Sequence, residues 1–191
     1  AYLEDMARTD RLDVALLNSQ TAASELTCEA VLEEDLFVML PVDSPLVPEG
    51  QEAITLAEIA ALPLVLPSPA HGLRRMLMTE FERAKLELRT VAELDSLLLA
   101  MRFVLDGGGV TLQPMAATLA LNGPELLRCL PISDATLKWT SYLYGLPVQK
   151  MSTSAVIVQT ELRRVLRDLV RTGQWRGVRQ LIGDSDAPAE T

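Results

Sequence analysis

Aromatic residues are scarce, at 4% of the 191 residues. The interior must therefore be filled by aliphatic side chains, and leucine, present 35 times, supplies them. Two cysteines, Cys28 and Cys129, are too few for a disulfide framework and are expected as buried thiols of a reducing compartment. The single histidine, His71, removes most zinc sites, which draw on several His or Cys ligands, so no metal is expected. Cations are outnumbered: 17 Lys and Arg face 26 Asp and Glu, for a net charge of −9 and a pI near 4.7. A surface that grips nucleic acid neutralises phosphates with clustered Lys and Arg, and this balance argues against one. Long apolar runs are lacking too. The stretch from Ile59 to Leu66 is broken by Pro63 and falls far short of the ~20 residues of a membrane span. Ala1 to Asp10 carries both signs of charge and no apolar signal segment. The chain has no Met at position 1 and opens on the helical spacing of Tyr2, Leu3 and Met6, so it is expected to start in mid-protein.

What is present is apolar material: 49% of residues are hydrophobic and 23% charged, which excludes a disordered chain. The length allows one large domain or two small ones. Leu12 to Leu17 reads as a strand covered on both faces, Leu26 to Glu33 as a half-exposed strand of period two, and Leu36 to Leu40 as a separate central strand. Thr55-Leu-Ala-Glu58 is a capping box before a short helix to Ala61, and Leu64-Val-Leu66 is a buried strand. A helix is predicted from Gly72 to Ala84, a strand over Leu88 to Leu94, and a helix over Leu97 to Leu105 behind the cap signal Asp95-Ser96. Strands at Val110 to Gln113, Leu126 to Leu130 and Trp139 to Leu146 follow, with a short helix from Pro114 to Ala120. Ser154 to Arg171 is the strongest helix, with an apolar stripe of Val158, Leu162, Val165, Leu166 and Leu169 closed by Gly173. Asp184 to Thr191 is an acidic tail, expected to be disordered. Alternating strands and helices mean an α/β fold with a mainly parallel sheet, and the counts suit two small sheets.

Familiar chemical motifs fail when tested. Gly107-Gly108-Gly109 lacks the Lys-Ser/Thr of a phosphate-binding loop, and the dinucleotide fingerprint would need Gly at Leu112; a helix-to-strand turn explains it. Ser68 and His71 lie three apart in a Pro-rich turn with no third orienting residue, so catalysis is not expected. Glu33, Glu34 and Asp35 read as a solvated charge run at a strand end, and Met101 and Phe103 as core. What remains is Ser68-Pro-Ala-His-Gly72, a strand-to-helix turn, with Asp95-Ser96 and Gln113-Pro114 as second and third turns. In α/β sheets ligands bind beyond the carboxyl ends of strands, and helix N-termini favour anions. One helix N-terminus contributes about 0.3–2 kcal/mol, whereas millimolar affinity needs about 4, so several turns must act together.

The order of segments resembles the effector-binding domain of LysR-type transcriptional regulators. The matching pieces are Arg11-Leu-Asp-Val-Ala-Leu-Leu17, Leu36-Phe-Val-Met-Leu-Pro41 with Ser44-Pro-Leu46, Ile54-Thr-Leu-Ala-Glu-Ile59 and Leu62-Pro-Leu-Val-Leu-Pro67. Ser68 to Arg74 resembles the family's crossover loop, and Leu105 to Pro114 its Gly-x-Gly segment ending in Pro. The resemblance implies a type II periplasmic-binding-protein-like fold, with two Rossmann-like subdomains and a ligand cleft between them, truncated at the N-terminus. It implies subdomain I over 1–66 and 148–172, subdomain II over 67–147, crossovers near Pro67 and Pro147, and a tail over 173–191. It also implies a small-molecule effector, expected to be anionic, held by Ser68, His71, Gly72 and Arg74, with Ser96, Leu97, Gln113 and Pro114 as further contacts. His71 would donate a hydrogen bond or add charge, and Arg74 would clamp a carboxylate if it faced the cleft. No cofactor and no membrane contact are implied. A homodimer or homotetramer in the cytoplasm is, with DNA bound only through a winged helix-turn-helix outside this chain. The other reading is a periplasmic solute-binding protein of a transporter.

Overall fold

The computed structural model describes residues 3, 5–6, 9, 11–18, 26–121 and 124–181. Of the expected opening helix Leu3, Asp5, Met6 and Thr9 are described; the first three are helical and Thr9 is a turn. Residues 182–191, with the expected acidic tail, lie outside the described residues.

The strands are β1 (Val14–Leu17), β2 (Thr27–Pro41), β3 (Leu64–Leu66), β4 (Thr90–Glu93), β5 (Thr111–Pro114), β6 (Leu127–Pro131), β7 (Lys138–Gly145) and β8 (Val178–Gln180). The helices are α1 (Leu56–Ala61), α2 (Gly72–Arg83), α3 (Leu97–Leu105) and α4 (Thr153–Arg171), with a 3₁₀ segment at Met115–Ala120. Two strands expected over Leu26 to Leu40 are one, the 15-residue β2. The acidic residues that suggested a break sit in mid-strand, each with a partner. Glu33 pairs with Arg179 at 2.8 Å, Glu34 accepts from the Trp175 indole at 2.8 Å, and Asp35 pairs with Lys138.

Two compact units result: Ala1–Glu34 with Thr140–Thr191, and Asp35–Trp139. The changeover therefore does not fall near Pro67 and Pro147, as the resemblance implied. Those prolines mark turns, but β3 pairs with β4 and Val110 of its own unit. The chain changes units inside two extended strands, β2 and β7, where no turn residue announces it.

The 35–139 unit is a sheet with helices on both faces. β3 runs parallel to β4, and Leu64 also bridges Val110 in parallel. β2 pairs antiparallel with β5 on one side and with β6 on the other. The expected mainly parallel sheet thus holds for β3, β4 and the start of β5 but not for β2. Alternation along β2 sends Leu36, Val38 and Leu40 to a core shared with α1 and α2. Met39 goes to the other face, with Val65, Ala100, Met101 and Val104 under α3. The expected capping box starts α1: the Glu58 N–H donates to the Thr55 hydroxyl at 3.3 Å, and the Thr55 N–H to Glu58 at 2.7 Å. Phe103, expected in the core, is 41% exposed and lies over Gly108, whereas Met101 is fully buried.

In the other unit β1 pairs antiparallel with β7, β7 lies beside β2, and β8 pairs antiparallel with β2. Residues 173–181, expected as the start of a tail, are therefore tied to the sheet. Helix α4 packs through Leu162, Leu166 and Val170 onto Val31, Leu32 and Leu143. Its buried stripe is rotated from the expected one, for Val158 and Val165 are 58% and 38% exposed. Cys28 is exposed and Cys129 half-buried, so the buried-thiol expectation fails for Cys28. Cys28 stands in the first, exposed stretch of β2, outside the core positions of that strand.

Glu34 is buried, and burial pushes its carboxyl above the ordinary carboxylate range, a rise only partly offset by the Trp175 hydrogen bond. Below the unfolded-state value both states are protonated and no penalty arises. As pH rises through the folded-state value the unfolded chain ionises first and stability falls. Glu34→Gln keeps an acceptor for Trp175 and removes that fall. Urea unfolding should show the variant equal to the parent at pH 4 and more stable at pH 7 by on the order of 1 kcal/mol. An equal difference at both pH values would assign the effect to packing.

Candidate functional site

Three strands of the 35–139 sheet end at one edge: β3 at Leu66, β4 at Glu93 and β5 at Pro114. Each leads through a turn into a helical segment. His71 caps α2 through its Nδ1, which accepts the Leu73 N–H at 3.2 Å. Ser96 caps α3, its hydroxyl accepting the Leu99 N–H at 3.4 Å. Pro114 leads directly into the 3₁₀ segment. The first two are cap positions, where a polar side chain satisfies a helix N–H, whereas Pro114 makes no such bond.

The first two turns are joined. The Ser68 N–H donates to Asp95 Oδ1 at 2.9 Å, and the Ser68 side chain also hydrogen-bonds this carboxylate. Those two bonds, the backbone one first, hold the Asp95 carboxyl below its ordinary range, and His71 adds to the effect. The protein thus places its own carboxylate against the turn where a ligand anion was expected.

His71 is exposed, and its ring stacks on Trp139 with centroids 6.3 Å apart and planes 19° apart. Trp139 also covers Gly72, where an added Cβ would lie 3.2 Å from the indole. Because Nδ1 accepts the cap bond, the neutral ring carries its proton on Nε2 and offers that N–H outward.

Arg74 does not present a free clamp. Its guanidinium donates to Thr90 Oγ1 at 2.9 Å and lies 3.9 Å from Glu93, with its side chain 11% exposed. It ties α2 to β4. Gln113 is buried in β5 opposite Phe37, Pro114 stands opposite Leu36, and Leu97 opens α3 with 40% exposure. Ser68, His71, Gly72, Ser96, Leu97, Gln113 and Pro114 thus fall on the turns of one sheet edge, and Arg74 stands behind it.

Asp95 and Trp139 were not singled out from sequence as contacts. Asp95 was visible as part of a cap signal; Trp139, one of two tryptophans, lies far along the chain from His71 and left no local mark. Ser68 and His71 do not form a nucleophile–base pair, since the Ser68 side chain is bonded to Asp95 and His71 Nδ1 to Leu73. Among the described residues no group of three His, Cys, Asp or Glu could hold a metal. No helix of the described residues is long and apolar enough to cross a membrane.

A family model described as the LysR substrate binding domain matches residues 1–167. A probable nitrogen assimilation transcriptional activator of Synechococcus elongatus is 31% identical over 124 residues, 63% of this chain and 40% of that protein. The nitrogen assimilation regulatory protein nac of Escherichia coli is 27% identical over 123 residues, 64% of this chain and 39% of that protein. The chain matches about 40% of the length of these relatives. Among solved structures, the CcmR regulatory domain of Synechocystis in complex with 2-PG superposes with a TM-score of 0.75 at 17% identity, covering 88% of this chain and 80% of that one. The BenM effector binding domain with its effector benzoate superposes with a TM-score of 0.70 at 19% identity, covering 90% and 76%. The fold is that of such effector-binding domains, of the type II periplasmic-binding-protein-like class. Matched over residues 1–167, the chain belongs to the LysR substrate binding domain family.

Proposed function

We propose that this chain is the small-molecule-sensing module of a transcription regulator, coupled to DNA through a winged helix-turn-helix that is not within residues 1–191. The carrying observation is the row of three strand-to-helix turns on one edge, with Ser68 and Asp95 bonding the first to the second. Ser68, His71, Gly72, Ser96, Leu97, Gln113 and Pro114 supply the contacts, and Trp139 backs His71 as an apolar wall. The ligand carries an anionic group, drawn by the α2 and α3 N-termini and competing there with Asp95. Solved relatives in complex with 2-PG, shikimate and benzoate support a small polar ligand. The regulator relatives favour this reading over a transporter component and give no support for enzymatic turnover. A DNA-linked role goes with a cytoplasmic location.

Differential affinity of the ligand for two arrangements of an oligomer supplies the coupling. A homodimer or homotetramer is supported by apolar surface left open on α3, where Leu98 and Leu99 are 58% and 60% exposed, and on α4, where Ile157 is 63% exposed.

A thermal-shift and calorimetry screen of carboxylates, amino acids and aromatic acids tests the reading. At least one compound should bind, and Ser68→Ala with His71→Ala should weaken it about tenfold or more, the loss of one or two hydrogen bonds to a charged group. If the intact regulator bound none, or its promoter response were unchanged by the double substitution, the site assignment would be wrong.

A further inference from the structure

Helix α4 ends at Arg171, and the chain then turns back along its own sheet. Gly173 and Gly177, each at φ +68°, bound that turn, and Val178–Gln180 form β8. β8 lies on β2 at Leu32, Glu33 and Glu34, the last three residues before the changeover at Asp35. The Leu181 N–H donates to the Val31 carbonyl at 3.0 Å and extends the contact by one residue. Residues 173–181 thus form a strap along the strand that passes between the units.

The strap is lightly held. Its pairing spans three residues, which is short for a strand. The Arg179–Glu33 pair has its arginine side chain 68% exposed and adds little. Trp175 and Val178 pack on the small core of Val31, Leu32, Leu143 and Leu166.

Beneath the strap sits Glu34, 4% exposed. It accepts a hydrogen bond at 2.8 Å from the indole of Trp175, a residue of the strap itself. An ionised carboxylate has about four acceptor sites, so the closed strap leaves the charged form short of donors. No neighbouring charge makes up the deficit. Glu33 and Asp35 turn to the other side of β2 by alternation, where they pair with Arg179 of β8 and Lys138 of β7. Helix α4 meets this core through Leu162, Leu166 and Val170, while Arg163 pairs with Glu29, and Arg164 and Arg171 with Asp168. Burial and the weaker, opposing indole bond are the influences on Glu34, and burial wins.

We propose that residues 173–181 are a proton-operated strap, closed over β2 while Glu34 is neutral and lifted when Glu34 ionises, which uncovers the β2 edge from Val31 to Glu34. This device is independent of the sensing role, since it lies in the unit that does not carry the Ser68 edge. The sign follows from linkage. The closed strap holds the Glu34 proton more tightly than the open one, so closure is complete below the ordinary carboxylate range and is lost as pH rises through the raised value.

The test is amide hydrogen exchange of the 191-residue chain by mass spectrometry at pH 4 and pH 7, each rate divided by that of the unfolded chain at the same pH. At pH 7 the amides of 174–181 should be about tenfold or more less protected than those of β7, because the strap opens without unfolding the sheet. Strap protection should fall about threefold or more between pH 4 and pH 7. Glu34→Gln, which keeps an acceptor for Trp175, should abolish that fall. Trp175→Phe keeps a ring and removes the donor that opposes burial, so the fall should steepen. Glu33→Gln breaks only the exposed pair with Arg179 and should leave the fall in place. Strap protection equal to that of β7, protection that does not change with pH, or a fall that persists in Glu34→Gln would each overturn the proposal.

Discussion

Gly109→Ala should destabilise the 35–139 unit by about 3 kcal/mol or more, or prevent its folding. Two costs combine at this residue. Its φ of +146° is a conformation that side chains rarely adopt, and the added Cβ would sit 2.4 Å from the Pro63 carbonyl oxygen. That oxygen is fixed, because it accepts the Val110 N–H at 2.9 Å in the bridge between β3 and β5. Relief would require pulling apart the strands whose far ends carry Ser68 and Gln113. Gly107 is the control. Its φ is +82°, yet nothing lies within 4 Å of its added Cβ. Gly107→Ala should therefore cost only the left-handed penalty, about 1–2 kcal/mol. Urea unfolding of both variants separates conformation from contact. Equal losses would mean that the close approach to Pro63 carries no energy of its own.

Phe81→Ala should cost about 3–5 kcal/mol, the range for removing a buried aromatic without refilling its space. Phe81 is 1% exposed, whereas Phe103 is 41% exposed and Phe37 lies on the opposite face of the sheet. It anchors the last turn of α2 in the core formed by Leu64, Leu66 and Leu77. The loss should also reach the site, since the first turn of the same helix carries His71 and Gly72. Near-ultraviolet circular dichroism of Trp139, read below the melting transition, is expected to weaken in the variant. An unfolding midpoint within a degree of the parent would show that the aliphatic neighbours collapse into the gap.

What the sequence made legible was short in range. The Thr55–Glu58 box and the Ser96 cap are read from residues three apart, and both form as read. The turns after β3, β4 and β5 were found the same way, because a helix start leaves a local chemical mark. The contacts that give the edge its character span long separations. Ser68 meets Asp95 across 27 positions, Asp35 meets Lys138 across 103, and Glu34 meets Trp175 across 141. The acidic run misled for that reason. Glu33, Glu34 and Asp35 look like solvated ends until the chain brings Arg179, Trp175 and Lys138 beside them. The family resemblance supplied the fold class. It misplaced the unit boundaries because prolines are conspicuous and a continuous strand is not.

That strand constrains how chains of this kind can vary. β2 runs 15 residues, about 50 Å at 3.3 Å per residue, and serves both units without a turn. Its faces alternate in step along the whole length. Inserting or deleting one codon within Leu36 to Leu40 would turn part of Leu36, Val38 and Leu40 to the wrong side of the 35–139 sheet. A two-residue change would keep the faces but slide one half against β5, β6 or β8. Length changes that preserve function should therefore be absent from β2 and gather in turns such as Val42 to Gly50, and a tagging or permutation site belongs there.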